Sequence, residues 1–221
     1  MTAPDRADDV PLSGTIPVAA GQAALVRIPV PGTAGLAVEF WAPRSYAGRS
    51  TSTLFIQDVA GRRVLRLDFG RNARIGNAID YHWNQDRVFR EFRIADHTSV
   101  GRAGALAYRA ARAFRWAGST MVVLGAAVDA VSIVRASNRL RRASEVVSAW
   151  ALAWAGCRTV GAGGAAVGTM IEPGLGTAGG AVLGCIVGGA AGYKAGESLG
   201  GAVYAWAEGT LFTRLPEVPA R

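Results

Sequence analysis

Glycine recurs at every fourth position through the last third of the chain. The array runs without a miss through Gly176, Gly180, Gly184, Gly188, Gly192, Gly196 and Gly200, and Gly164 and Gly168 carry the same spacing just before it. In an exposed helix, glycine costs about 1 kcal/mol per residue relative to alanine. A helix this rich in glycine therefore needs a neighbour that packs against its bare backbone, as small residues four apart allow. The spacing predicts close helix–helix packing.

The array predicts one arm of a helical hairpin. Residues 172–174 read Glu-Pro-Gly, a strong helix break, and the Gly- and Ala-rich stretch that precedes it, expected to start near Ser144, is the first partner. Four residues turn about 400°, so the glycine groove winds about 40° per step, and we expect that one straight helix cannot fill all seven positions. Cys157 and Cys185 lie 16 residues before and 12 after Pro173. These unequal distances argue against direct opposition, but the sequence leaves their pairing open.

The hairpin has the length and charge distribution of a segment that enters a membrane conditionally. Residues 173–193 are 21 residues without a charge, and roughly 20 suffice to cross a bilayer core. However, Ala and Gly dominate, and Arg158, Lys194 and Glu197 lie close by, so permanent residence in lipid is disfavoured. A tightly packed hairpin that stays in water is the alternative left open.

Basic charge surrounds a second apolar stretch. The chain carries a net charge of +8, and an apolar run over residues 121–134, with Asp129 as its one charge, separates two groups of arginines. We predict that these groups contact anionic lipid headgroups. The predicted contact residues are Arg109, Arg112 and Arg115, which share a helix face, and Arg139, Arg141 and Arg142. Nucleic acid is not predicted as a partner, because no nucleic-acid-binding motif accompanies the charge.

The N-terminal part has a different pattern. Short β-rich stretches at 24–30, 36–42, 52–58 and 63–69 are separated by turn residues, and residues 70–98 are predicted to form a loop with one or two short strands. The expected fold class is therefore α+β, with a β-rich domain over 1–100 and a helical domain over 101–221. The first ten residues hold three acids and no apolar run, which predicts no cleavable signal peptide.

A cluster of polar residues offers an alternative function. Asp80, His82, Asp96 and His97 could serve as acid and base, or hold a divalent metal, in an enzymatic toxin. Their spacing matches no known catalytic motif. Isolated Asp–His pairs are more often structural, so we predict no catalytic residue, no metal and no cofactor.

Several stretches resemble a known group of toxins. The runs LRLDFG at 65–70, IDYHWNQ at 79–85 and DHT at 96–98, then VDAVSIVRASN, VVSAWALAWAGC, the glycine array and the stretch at 203–219, resemble the C-terminal modules of RHS-type polymorphic toxins. The resemblance implies an interbacterial effector made in the bacterial cytoplasm, delivered by a secretion-system carrier or chaperone, and neutralised in the producer by a cognate immunity protein.

We therefore predict a pore-forming antibacterial toxin that acts at the inner membrane of the target cell. Its hairpin would insert among membrane lipids, and the glycine array would pack copies of the chain into a homo-oligomer. The enzymatic toxin is the first alternative, and a non-toxic helical interaction module is the second.

Overall fold

The fold contains six short strands and five helices, within a computed structural model that describes residues 13–43, 51–87 and 89–211. The acidic first ten residues and the end of the stretch at 203–219 lie outside these ranges. The elements are, in chain order, α1 (Thr15–Leu25), β1 (Ile28–Pro29), β2 (Ala37–Glu39), β3 (Phe55–Gln57), β4 (Val64–Asn72), β5 (Ala78–Asp86), α2 (Phe89–Phe92), β6 (Thr98–Ser99), α3 (Gly101–Arg135), α4 (Arg139–Ile171) and α5 (Leu175–Leu211). The predicted α+β class is confirmed.

The strands form one antiparallel sheet in which sequence neighbours are also spatial neighbours. Its longest pair is the β4–β5 hairpin, in which Val64 pairs with Asp86 and Asn72 with Ala78. Residues 70–98 contain β5 and the start of β6, in place of the predicted loop with one or two short strands, and β5 is longer than predicted because it spans nine residues. Only two adjacent residues of β5, His82 and Trp83, are buried, so the strand lacks the alternation of apolar and polar side chains that marked β4.

Helix α1 also departs from the prediction. The stretch at 24–30 was expected to be a strand, but Ala24 and Leu25 end α1, and β1 is two residues long. Tertiary packing explains the difference: α1 lies between α3 and the α4–α5 pair, and its small residues Ala19, Ala23 and Ala24 are buried there. Burial on several sides overrides local propensity.

The predicted hairpin is present, with its break where the Glu-Pro-Gly sequence lies. Helix α4 begins at Arg139, before the predicted Ser144, because the Asn138 side chain caps it by accepting a hydrogen bond of 3.0 Å from the Arg141 backbone N–H. The turn into α5 uses Gly174 at φ +89°, a conformation that L-residues with side chains rarely adopt.

One face of the sheet packs on the hairpin near its turn. Ile28, Leu65 and Trp83 of the sheet share a core with Ala165 and Ala178 of the hairpin. The turn itself rests on the sheet, since a Cβ on Gly174 would lie 2.7 Å from Cζ2 of Trp83. The predicted domain boundary at residue 100 falls between β6 and α3, and both α1 and the sheet pack against the helices that follow it.

Candidate membrane-active helices

The glycine array forms the seam between α4 and α5. A Cβ placed on any of the seven glycines of α5 would lie 2.1–2.5 Å from a backbone carbonyl oxygen of α4, closer than real Cβ atoms approach. The carbonyls that they face are those of Gly168, Gly164, Val160, Gly156, Leu152, Ser148 and Ser144, in that order from the turn. One partner helix therefore fills all seven positions, and the expectation, which concerned a straight partner, does not describe this pair.

The reason is that neither helix has to be straight. A repeat of four residues is longer than the 3.6 residues of a helical turn, so two helices keep such a seam in contact by coiling around each other in the right-handed sense. Each step of four along α5 matches one step of four backwards along α4. Near the far end of the seam, Ser144 Oγ donates a 3.0 Å hydrogen bond to the Gly200 carbonyl.

A disulfide joins the middle of the seam. Cys157 and Cys185 are bonded, with their Cα atoms 3.7 Å apart. The sequence argument against their opposition took Pro173 as the centre of the hairpin. In the seam, facing residues of α4 and α5 are placed symmetrically about position 172 instead. The two cysteines are therefore nearly equidistant from the centre of the seam. The two helices are thus held together by close backbone packing and by one covalent bond.

The side of the hairpin away from the sheet and α1 is apolar and uncovered. On α5, Leu183, Val187, Leu199 and Val203 are each at least half exposed, and they also follow a spacing of four. On α4, the exposed large apolar side chains are Leu140, Val147, Trp154, Val160, Val167, Met170 and Ile171. Isolated exposed apolar residues are ordinary, but rows of them along two packed helices mark an interaction surface.

Helix α3 carries a second apolar surface, which the sequence analysis did not identify as a candidate span. Residues 116–134 lie between Arg115 and Arg135 and include Trp116, Val123, Leu124 and Val134, all largely exposed. At 1.5 Å per residue this stretch is about 28 Å long, close to the thickness of a bilayer core. Within the described residues, α3 and Leu175–Thr210 are the two helices whose length and composition suit a membrane span.

The buried side of α3 is a stripe of small residues with a spacing of seven. It consists of Gly104, Ala111, Gly118, Gly125 and Ser132. A Cβ on Gly118 would meet the Ala24 side chain of α1, and one on Gly125 would meet Val18. Close packing against α1 therefore holds α3, as close packing against α4 holds α5. The spacing was readable in the sequence, but alanine and glycine are frequent on every side of α3 and conceal it.

The one acidic residue in the apolar run of α3 points inward. Asp129 is 2% exposed and accepts hydrogen bonds from the Tyr193 hydroxyl of α5 at 2.6 Å, the Trp150 indole of α4 at 2.7 Å and the Gly14 backbone N–H at 3.0 Å. A buried carboxylate needs such donors, because its desolvation is otherwise costly. This carboxylate therefore joins the start of α1 to three helices, while the outer face of α3 remains uncharged over residues 116–134.

The predicted lipid-contact arginines divide into three groups. Arg109, Arg112, Arg139 and Arg141 are exposed and available to a surface, while Arg115 is half-buried, its guanidinium carbon 3.9 Å from the centre of the Trp41 ring. Arg142 is 5% exposed and ion-paired with Glu145 and Glu197, so it does not face the surface in this fold, and its lipid contact stays a prediction. Burial lowers the pKa of Arg142, but its hydrogen bonds with Glu197 and Glu145 outweigh burial and raise the pKa overall.

The structure brings the four residues of the enzymatic alternative together. The rings of His82 and His97 stack with centroids 5.1 Å apart, and His97 Nδ1 lies 2.8 Å from a carboxylate oxygen of Asp96. Asp80 bonds the Ser99 hydroxyl and accepts from the Tyr81 backbone N–H at 2.7 Å, while the second carboxylate oxygen of Asp96 accepts from the Gln85 N–H at 2.9 Å. These bonds hold β5 to β6 and the segment between them. Across residues 13–43, 51–87 and 89–211, no group of three or more His, Cys, Asp or Glu side chains is placed to hold a metal.

Comparison with models of known protein families, with curated proteins and with solved structures finds no match to this chain.

Proposed function

We propose that the chain is a membrane-permeabilising antibacterial toxin whose long helices enter the bilayer of the target cell. The observation that carries the proposal is the uncovered apolar surface of α3 over residues 116–134 and of the α4–α5 hairpin near its turn, where residues 173–193 carry no charge. Asp129 of α3 points inward, and Lys194, which is exposed, follows the uncharged stretch of α5. A chain that remains in water gains nothing from these rows of exposed Leu, Val and Trp side chains, whereas lipid would bury them at about 25 cal/mol per Å².

The arrangement supports a sequence of events. The exposed arginines at both ends of α3 would first meet anionic headgroups. The hairpin would then move as one unit, because its glycine seam and its disulfide hold α4 to α5. Its turn would leave Trp83, which contacts Gly174 in this fold. Further copies, packed through apolar faces, would complete the leak, and an immunity protein would act by covering those faces.

Dye release from vesicles tests this function. The full chain is added to vesicles of phosphatidylglycerol and phosphatidylcholine that hold a quenched dye, in parallel with Val187→Glu and Ser198→Glu. Both positions are exposed on α5, but Val187 belongs to the apolar row and Ser198 donates to the Lys194 carbonyl. Val187→Glu should abolish release, because a carboxylate costs about 2.5–3.5 kcal/mol in a bilayer core, and Ser198→Glu should retain most of it.

Intact vesicles with the wild-type chain at every lipid composition would refute the proposal. Such a result would favour the helical interaction module, in which the same apolar faces bind a protein partner. Equal loss in both variants would show that added charge anywhere on α5 is responsible, and would remove the support drawn from the exposed row.

The enzymatic toxin remains a second candidate, because His82, His97 and Asp96 lie in contact. His97→Ala separates the two functions, since His97 is the partly exposed member of the histidine pair. Under membrane permeabilisation this variant should depolarise target bacteria as the wild type does. Loss of killing with vesicle leakage unchanged would favour the enzyme.

A further inference from the structure

An open cavity lies beside the start of the apolar stretch of α3. It has a volume of about 390 Å³. One wall is formed by a residue shortly after β2 and a residue shortly before β3, and the other wall is formed by α3. Trp41 and Thr53 contribute the first wall, and Arg112, Arg115 and Trp116 belong to the second. The cavity is outside the hairpin, and none of the steps described above uses it.

The cavity is positively charged. Two arginines line it and no acidic side chain among the described residues does. The guanidinium carbon of Arg115 lies 3.9 Å from the centre of the Trp41 ring, a cation–π contact that orients its donors. Arg112, one helical turn earlier, is exposed and free to turn towards the same space. Paired guanidinium groups suit a phosphate, because each presents parallel N–H donors to two of its oxygens.

A buried hydroxyl in the cavity has an unused hydrogen bond. Thr53 is 7% exposed, and its Oγ1 has no hydrogen-bond partner within the described part of the chain. Leaving a buried polar atom unpaired costs about 1–3 kcal/mol. Thr53 lines the cavity, so rotation about its Cα–Cβ bond would turn this hydroxyl towards a ligand oxygen beside the two arginines, which would make Thr53 the uncharged member of the same site.

The position of the cavity indicates what else the ligand contains. Trp116 lines it, is 76% exposed and begins the apolar stretch that continues through Val123 and Leu124. Tryptophan at the boundary between charged and apolar surface is typical of the headgroup level of a membrane. A ligand that fits both features has a phosphate at one end and a hydrocarbon chain at the other.

We propose that this cavity binds the headgroup phosphate of an anionic phospholipid, with the acyl chains lying along the apolar face of α3. The inference rests on the proposed membrane function and assigns that function a specific lipid site. It places Arg112, Arg115 and Thr53 around the phosphate and Trp41 behind Arg115 as its positioning residue. The site would align α3 with the membrane surface before the hairpin inserts.

Calorimetric titration with dihexanoyl-phosphatidylglycerol, below its micelle concentration, tests the site without a bilayer. Arg112→Gln, Arg115→Gln and Thr53→Val in the full chain should each weaken binding about fivefold or more, while Thr53→Ser should bind as the wild type does. Arg74→Gln is the control, because Arg74 is exposed in the connection between β4 and β5 and does not line the cavity. It should change the affinity less than about twofold, since an exposed charge outside the site is screened.

Three results would overturn the proposal. Equal loss in Arg74→Gln and Arg112→Gln would mean that only diffuse basic charge attracts the lipid. Equal affinity for inorganic phosphate would make this a site for free phosphate instead of lipid. Unchanged binding in Thr53→Val would show that the hydroxyl takes no part. Tight lipid binding without vesicle leakage would leave the lipid site standing and would count against the permeabilising function alone.

Discussion

The two adjacent glycines at 179 and 180 allow the packing of the hairpin to be tested with one methyl group. A Cβ on Gly180 would lie 2.1 Å from the Gly164 carbonyl oxygen of α4, whereas a Cβ on Gly179 would meet nothing within 4 Å. Both lie in the same turn of α5, so replacing either by alanine brings the same gain in helix propensity. The two variants therefore differ only in contact with α4.

The size of the difference follows from the geometry. Gly179→Ala should stabilise the fold by up to about 1 kcal/mol, the propensity difference between glycine and alanine. In Gly180→Ala the two backbones must separate by about 1 Å, and such overpacking costs roughly 1–3 kcal/mol, in addition to dispersion contacts weakened along the seam. Because the propensity gain is common to both, the variants should differ by the packing cost alone, about 2 kcal/mol. For a chain of this length, that corresponds to roughly 4–8 °C in Tm.

Thermal unfolding followed by circular dichroism measures both variants, with the disulfide intact in each. Gly163→Ala and Gly164→Ala repeat the comparison from α4, since a Cβ on Gly163 meets nothing and one on Gly164 would lie 2.1 Å from the Gly180 carbonyl oxygen. If Gly180→Ala raised Tm as much as Gly179→Ala, the helices would not be held by close backbone approach, and the argument from the seam would fail.

Three further predictions concern the contacts that fasten the helices. Asp129→Asn should lower the free energy of unfolding, measured from the urea midpoint, by about 2–3 kcal/mol, because three donors lose their charged acceptor. An unchanged midpoint would mean that α3 is held by other contacts. Reduction of Cys157–Cys185, which are 28 positions apart, should cost about 3.5 kcal/mol of unfolding free energy by loop-closure entropy, and the double serine variant should not respond to reductant. Gly174→Ala should destabilise the fold more than Gly35→Ala in thermal unfolding, because both glycines have positive φ but only Gly174 has an indole beneath it. Equal losses of stability in the two variants would mean that the turn does not depend on the sheet.

The hairpin was predictable from the sequence because its period is rare and its break is strong. Seven glycines at a spacing of four fix which face of α5 is buried, and the Glu-Pro-Gly sequence fixes where the chain reverses. The cysteine pairing was not predictable, since moving the centre of the hairpin by one residue from Pro173 changes the offset between Cys157 and Cys185 by two. The spacing of the glycines shows which face of a helix is buried. Which residues of the two helices lie opposite each other depends on the register between the helices, which the spacing does not give.

The parts that the sequence did not reveal depend on tertiary contacts. Helix α1 is short, and its burial comes from α3, α4 and α5, which lie far along the chain. The cavity beside α3 joins residues 41 and 53 to residues 112–116, and nothing local to either segment predicts their meeting. Asp129 was visible as a lone acid in an apolar run, but its three donors come from three other segments. The sequence analysis placed Arg142 on the surface, because no sequence pattern predicts its pairing with Glu145 and Glu197.

The position of α1 determines how α3 is held to the α4–α5 pair. The eleven residues of α1 lie between α3 and the α4–α5 pair, which otherwise share few direct contacts. Without α1, α3 would still be joined to the pair by the bonds of Asp129 to Tyr193 and Trp150 and by the bond of Arg142 to Ser132. A competitor for this one short helix would therefore remove most of the packing between the two groups and leave these few polar contacts to hold them together.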